Sequence, residues 1–289
     1  MILSIAVAAK GLCDPKCFLD SLMQERLTDN ECVSIHIAHD ESWDYSPTTW
    51  PSNIHLYQCE QGTSILKLWG AAIARSNSDY IAVLDINCPP QKGWALRVLE
   101  EMNKQTPVFF GAVEPGWELN DLRILGYITE YVQFKSPLPA QGNEVPGNNI
   151  VFKRCLLDDN GDVEEKGFYK TFMIWRLEKE LGIRACGFND MPVSYYKPFS
   201  YKHYMVRRYV HGRCFAACRF DNAGQPPRWA CLLFSVLLPF LRVWRIYQAV
   251  KRNTDLKKSF FRFGFFIIQS EIAWSMGEML GYGLGGKEF

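Results

Sequence analysis

The sequence has no C-x-x-C pair, although it holds ten cysteines. Its two C-x-x-x-C pairs, Cys13/Cys17 and Cys214/Cys218, lack histidines at zinc-finger spacing. That excludes a structural zinc module, and scattered thiols suit a reducing, cytoplasmic compartment better than a disulfide scaffold. It also lacks a long apolar run. The uncharged stretches 229–241 and 263–270 hold 13 and eight residues, short of the ~20 that a spanning helix needs. No basic segment precedes the opening run MILSIAVAAK, which ends at Lys10. It therefore reads as a first strand and not as a signal peptide. There is no internal repeat, no low-complexity tract and no recognised nucleic-acid-binding motif, so nucleic acid is not an expected partner.

What is present is an ordinary globular composition: 289 residues, 48% apolar and 22% charged. That fits one large domain or two small ones. The net charge of +1 conceals a polarity. Residues 197–262 carry 14 Lys/Arg against two acids, Asp221 and Asp255, so an acidic body bears a basic, aromatic-rich tail. Such a tail calls for an anionic partner. The phrase from Asp221 to Pro227 is the best boundary candidate, giving a domain over 1–222 and an extension over 223–289. In the extension, basic residues and Trp/Phe flank the two apolar segments. This fits helices lying in an anionic membrane interface, and equally a helical pair packed on the domain or on a second subunit.

The first half alternates strands and helices. Strands are expected at 2–8, 33–39, 54–59, 80–84 and 108–113. Helices are expected from Asp14-Pro15 to about 27, after a Thr63/Ser64 cap, and over about 94–102. This rhythm predicts βαβ units and a mainly parallel sheet covered on both faces. After about residue 120 it changes: a helix near 121–134, a Pro/Gly-rich loop over 136–147, a helix over 169–181, and short strands near 184 and 193. In such sheets ligands bind beyond the carboxyl ends of the strands. Asp40 and Asp85 end two of them. An acid like Asp85, with Asn87 two residues on and Pro89-Pro90 stopping the chain, can bind ribose hydroxyls or ligate a divalent cation.

Ala38-His39-Asp40-Glu41-Ser42-Trp43-Asp44, Asp85-Ile86-Asn87, Pro146-Gly147-Asn148-Asn149-Ile150 before Lys153-Arg154, the basic stretch from Tyr196-Lys197 to His211-Gly212-Arg213, and Trp274-Ser275-Met276-Gly277-Glu278 to Gly281-Tyr282 follow one another in order. Together they resemble the family-2 glycosyltransferases of the GT-A fold, in a bacterial, polysaccharide-building subset. Asp40 falls in their V-D-D-x-S-x-D segment, with His39 for the first Asp, and Asp85-Ile86-Asn87 falls at their D-x-D. The resemblance implies a Rossmann-like α/β domain that moves a sugar, with inversion, from a nucleotide-diphospho-sugar, UDP-type favoured, to a glycan or lipid-linked acceptor. It implies a nucleotide side of Ala8, Lys10, Asp40, Lys67, Asp85 and Asn87, with Asp85 and Asn87 holding Mg or Mn weakly. Arg207, Arg208 and Arg213 would neutralise the diphosphate, and Gly147, Asn148 and Asn149 would face the acceptor.

Three positions depart from that pattern. Asn87 stands for the second aspartate and brings no charge. Tyr195/Tyr196 stand where a metal-binding histidine is often found. The general-base acid falls at Tyr169/Lys170, and a protonated lysine is no base. Glu165, with Glu164 beside it, is the fallback. Two functions stay open: a transferase at the cytoplasmic face of the membrane, or a degenerate transferase-like subunit that binds nucleotide or glycan and partners an active enzyme. A homo-oligomer is compatible with either.

Overall fold

The computed structural model describes residues 2–10, 15–28, 30–40, 50–157, 162–219 and 227–284. The chain divides into two units, Met1–Gly116 with Phe134–Lys197, and Trp117–Gln133 with Pro198–Phe289.

The first unit opens on β1 (Leu3–Ala9), in which all seven residues are buried. A continuous apolar run suits a strand covered on both faces. Next comes α1 (Lys16–Gln24) after Pro15; the expected cap, Asp14, lies outside the described residues. β2 (Val33–Asp40), β3 (Ile54–Cys59), α2 (Ile65–Ala74), β4 (Tyr80–Asp85), α3 (Trp94–Asn103) and β5 (Val108–Pro115) follow. Ser64 caps α2, its hydroxyl oxygen accepting from the Lys67 N–H, which satisfies one of the orphan donors of a helix start. The chain crosses to the second unit for α4 (Ile124–Glu130). It returns with β6 (Gln141–Gly142), β7 (Asn149–Lys153), α5 (Asp162–Lys166), α6 (Lys170–Leu181) and β8 (Ala185–Tyr195).

The eight strands form one mixed sheet in the order β3-β2-β1-β4-β7-β5-β8-β6. β3, β2, β1 and β4 are mutually parallel, as are β5 and β8. β7 runs antiparallel between β4 and β5, and β6 runs antiparallel on β8. The two short strands expected near 184 and 193 are a single strand, β8, of 11 residues. Its pairing with β5 shifts between Gly111 and Val113. The bulge exposes Asn189 and Asp190 and breaks the period-two alternation by which a strand is read.

The second unit holds α4 and the helices α7 (Tyr201–Arg219), α8 (Arg228–Phe234), α9 (Leu238–Val250), α10 (Thr254–Arg262) and α11 (Gly264–Leu284). The division therefore falls after Lys197 and not near residue 222. The reason is α7, which packs along α11. At Gly212 a Cβ would run into the Trp274 carbonyl, and at Gly277 into the Tyr209 carbonyl. Only hydrogen on both helices allows so close an approach. The phrase Trp274–Tyr282 is thus a packing pattern. Trp274 Nε1 donates to Glu278, and the Tyr282 hydroxyl donates to Glu278 Oε2 at 2.8 Å.

α11 runs well past the apolar stretch that the sequence marks at 263–270. Among the described residues no single helix is long and apolar enough to cross a membrane; α8 and α9 pass that test together, bent by 66°.

Candidate functional site

In the first unit, β1 lies between β2 and β4, and Ala8 is level with both Ala38 and Asp85. Asp40 is two residues beyond Ala38, so the period of two points Asp40 and Asp85 to the same face of the sheet. They sit two strands apart, roughly 10 Å across the sheet at ~4.8 Å per strand, at its carboxyl edge. Both carboxylates are buried, at 1% and 2% exposure.

Each is matched by a lysine. Lys10, just past the end of β1, puts its Nζ 3.5 Å from Asp40 Oδ2. It also donates to the Gly62 and Thr63 carbonyls at 3.2 and 2.5 Å, which ties the β1 tip to the loop before α2. Lys197 puts its Nζ 3.2 Å from Asp85 Oδ2. The other oxygen, Asp85 Oδ1, accepts from the Asn87 backbone N–H at 2.9 Å and from Asn87 Nδ2 at 3.0 Å. Two buried carboxylates would be costly without such partners. Lys67 stands half-buried in the first turn of α2. Glu41, Ser42, Trp43 and Asp44 lie outside the described residues.

The segment before β7 meets the start of α6. Lys170, the first residue of α6, donates to the Val145 carbonyl, and its Nζ lies 5.2 Å from the centre of the Phe134 ring. A Cβ at Gly147 would stand 3.3 Å from the Lys170 chain and 3.5 Å from Trp69. Trp69 itself is fixed by its Nε1, which donates to the Leu84 carbonyl at 2.7 Å. Gly147 and Lys170 are therefore neighbours. The first turn of α6 carries no acid, so a cation occupies the end of the helix dipole that favours an anion. Glu164 pairs with Arg75 at 2.6 Å on the surface, and Glu165 is exposed on α5.

Several expected roles change. Asn149 is fully buried; its Oδ1 accepts from Trp94 Nε1 at 2.9 Å, and its Nδ2 donates to the Ala112 and Met191 carbonyls at 2.9 and 2.8 Å. It laces the sheet together and keeps nothing for an acceptor. Asn148 is equally buried and donates to Cys88 Sγ. In the second unit, Arg208 is buried against Glu271 at 2.6 Å, an internal ion pair and not a cation waiting for diphosphate. Arg207 pairs with Glu130 at 3.2 Å, and Arg213 is half-buried further along α7. Lys197 is the residue that sequence reading missed. It lies 112 positions from Asp85. The available signal is its place at the head of the basic stretch, directly after Tyr195/Tyr196, where the resemblance puts a metal-binding histidine.

The parallel half-sheet with paired acids at its carboxyl edge, extended by antiparallel β7, defines a GT-A-like α/β fold. No protein-family model matches the sequence, and no curated protein sequence matches it. Among solved structures the chain is similar to the mannosyltransferase PcManGT from Pyrobaculum calidifontis, in complex with GDP-Man and Mn2+. The TM-score is 0.55 at 14% identity, over 99% of this chain and 88% of that one. At that identity the likeness speaks for the fold.

Proposed function

We propose that the protein is a glycosyltransferase that transfers a sugar, with inversion, from a nucleotide-diphospho-sugar to a glycan or lipid-linked acceptor. The observation that carries this is the placement of Asp40 and Asp85 on one face, flanking Ala8, at the carboxyl edge where open α/β sheets take nucleotides. In this reading Asp40 contacts the base and Asp85 the ribose. Ala8, Lys10 and Lys67 border the nucleotide, with Asn87 beside Asp85. Gly147 lies on the acceptor side, next to Lys170. A UDP-sugar is the favoured donor. A GDP-sugar is the alternative suggested by the similar mannosyltransferase. The test is donor turnover: release of UDP or GDP from a panel of sugar nucleotides, with and without a membrane lipid extract as acceptor. Release from none of them would refute transferase activity.

One observation favours a second reading. Lys170 begins α6, where the family resemblance would put the base, and an ammonium cannot take the acceptor proton. A transferase-like subunit that binds nucleotide and partners an active enzyme would keep the crevice and lose the base. Nucleotide binding without turnover is its signature.

The second unit supports a further part of the proposal, attachment to the cytoplasmic face of a membrane. Around the α8–α9 bend, Trp229, Leu233, Phe234, Leu237 and Phe240 are each more than half exposed. Arg228 and Arg245 border them, and Lys251 and Arg252 follow the far end of α9. Exposed apolar and aromatic groups edged by cations match an anionic lipid surface.

A further inference from the structure

We infer that Lys197 supplies, as a side-chain ammonium, the positive charge that a divalent cation would otherwise bring to Asp85, so that a nucleoside diphosphate binds without metal. This rests on the nucleotide-sugar reading of the crevice and deepens it.

The donor set at Asp85 does not fit a divalent cation. A hard cation such as Mn2+ wants about six oxygen ligands. Among the described residues Asp85 brings a single carboxylate here, and both of its oxygens are engaged. Oδ2 carries the Lys197 ammonium, and Oδ1 accepts two N–H bonds from Asn87. A carboxylate can only accept, so Asn87 must turn its NH2 to Asp85 and its carbonyl away. Among the described residues no three His, Cys, Asp or Glu side chains gather as a metal site. Charge points the same way. Among the described residues the Asp85 carboxylate is balanced by the Lys197 ammonium, and a divalent ion would have to displace Lys197 or stand beside it.

Lys197 is also held in place by the fold. Residues 87–91 and 192–196 are laced together antiparallel. The Gln91 N–H donates to the Pro192 carbonyl at 2.9 Å, the Ser194 N–H to Pro89 at 3.0 Å, and the Tyr196 N–H to Asn87 at 2.8 Å. Gln91 Nε2 adds a bond to Ser194 Oγ at 2.8 Å. The last rung ends one residue before Lys197, so the ladder that shapes the Asp85 turn also delivers the ammonium to it. The lysine side chain keeps 19% of its surface exposed. An ammonium has three N–H donors and forms charge-assisted bonds to phosphate oxygens.

The test is calorimetric titration of the full chain with UDP and with GDP, in EDTA and in saturating Mn2+, for wild type, Lys197→Ala and Lys197→Arg. We expect wild type to bind one of the two with affinities that differ less than about threefold between the conditions. Lys197→Ala should lose about tenfold or more in EDTA, ~1.4 kcal/mol, and Lys197→Arg should retain most of the affinity. Electron paramagnetic resonance of Mn2+ with wild type and nucleotide should show no protein-bound ion. Binding by wild type only in Mn2+ would overturn the role of Lys197 and leave the nucleotide reading intact. Binding of neither nucleotide in either condition would overturn both. If Lys197→Ala fails to fold, as circular dichroism would show, the wild-type comparison and the Mn2+ spectrum still decide.

Discussion

The Arg208 guanidinium and the Glu271 carboxylate face each other at 2.6 Å with 1% and 0% of their side chains exposed. Arg242 reaches the same carboxylate from α9. Both guanidiniums lie over Trp274, at 4.6 and 4.5 Å from the ring centre. Breaking a buried pair by removing one partner costs about 3–5 kcal/mol, because a charge is left without compensation. Glu271→Gln deprives two arginines at once. It is expected to destabilise more than Arg208→Met, which leaves Glu271 paired with Arg242. Urea denaturation of the two variants checks the order. Equal loss would mean that Arg242 contributes nothing.

Gly277 has the Tyr209 carbonyl of α7 where a Cβ would go. Gly277→Ala must push the two helices apart, and overpacking of this kind costs about 1–3 kcal/mol. A lower melting temperature is expected. Gly264→Ala is the control, since a Cβ there meets nothing within 4 Å.

His36, on β2, has its pKa lowered to about 4 by burial and by the neighbouring His55. In the unfolded chain it titrates near 6.5. Below that pH the unfolded state binds a proton that the native state refuses. The penalty is absent above pH 6.5 and grows as pH falls towards 4, to about 3 kcal/mol. Denaturation midpoints between these pH values should therefore slope upward with pH, and His36→Gln should flatten that slope. His36 meets the Tyr57 hydroxyl at 2.9 Å, a partner that glutamine can keep.

Lys170→Glu places an acid at the start of α6, where the helix dipole favours it. General-base catalysis is worth ~10²–10⁴ in rate. If Lys170 marks the base position, donor hydrolysis or transfer should rise by about that range. Strong wild-type turnover that Glu165→Gln abolishes and Lys170→Ala leaves intact would instead assign the base to α5.

The α8–α9 region should bring the protein to vesicles containing anionic lipid and release it as salt rises. Each basic residue near such a surface contributes ~1 kcal/mol. Replacing Arg242 would also disturb Glu271, so Arg245→Glu with Arg252→Glu is the cleaner variant and should weaken co-sedimentation. Binding indifferent to lipid charge and salt would sink the electrostatic part.

Local chemistry made much of the first unit legible. Apolar runs in β1 and β4, the alternating Val33-Ser-Ile-His-Ile37 of β2 and the cap at Ser64 mark these strands and α2 to within a residue or two, because strands and helix starts are set by neighbours a few positions away. The same locality put Asp40 and Asp85 at strand ends, and the order of βαβ units then put them at one edge of the sheet. The basic bias of residues 197–262 was equally plain from counting. Tertiary structure alone decided the rest. Lys197 meets Asp85 across 112 positions only because residues 192–196 lace onto residues 87–91. Asn149 reads as part of an acceptor segment until β7 inserts antiparallel between β4 and β5 and buries its amide among Trp94, Ala112 and Met191. Arg208 reads as a free cation until α11 brings Glu271 to it. Sequence patterns report which face of an element is apolar. What a polar side chain meets depends on which distant element the fold lays against it, and no local period encodes that.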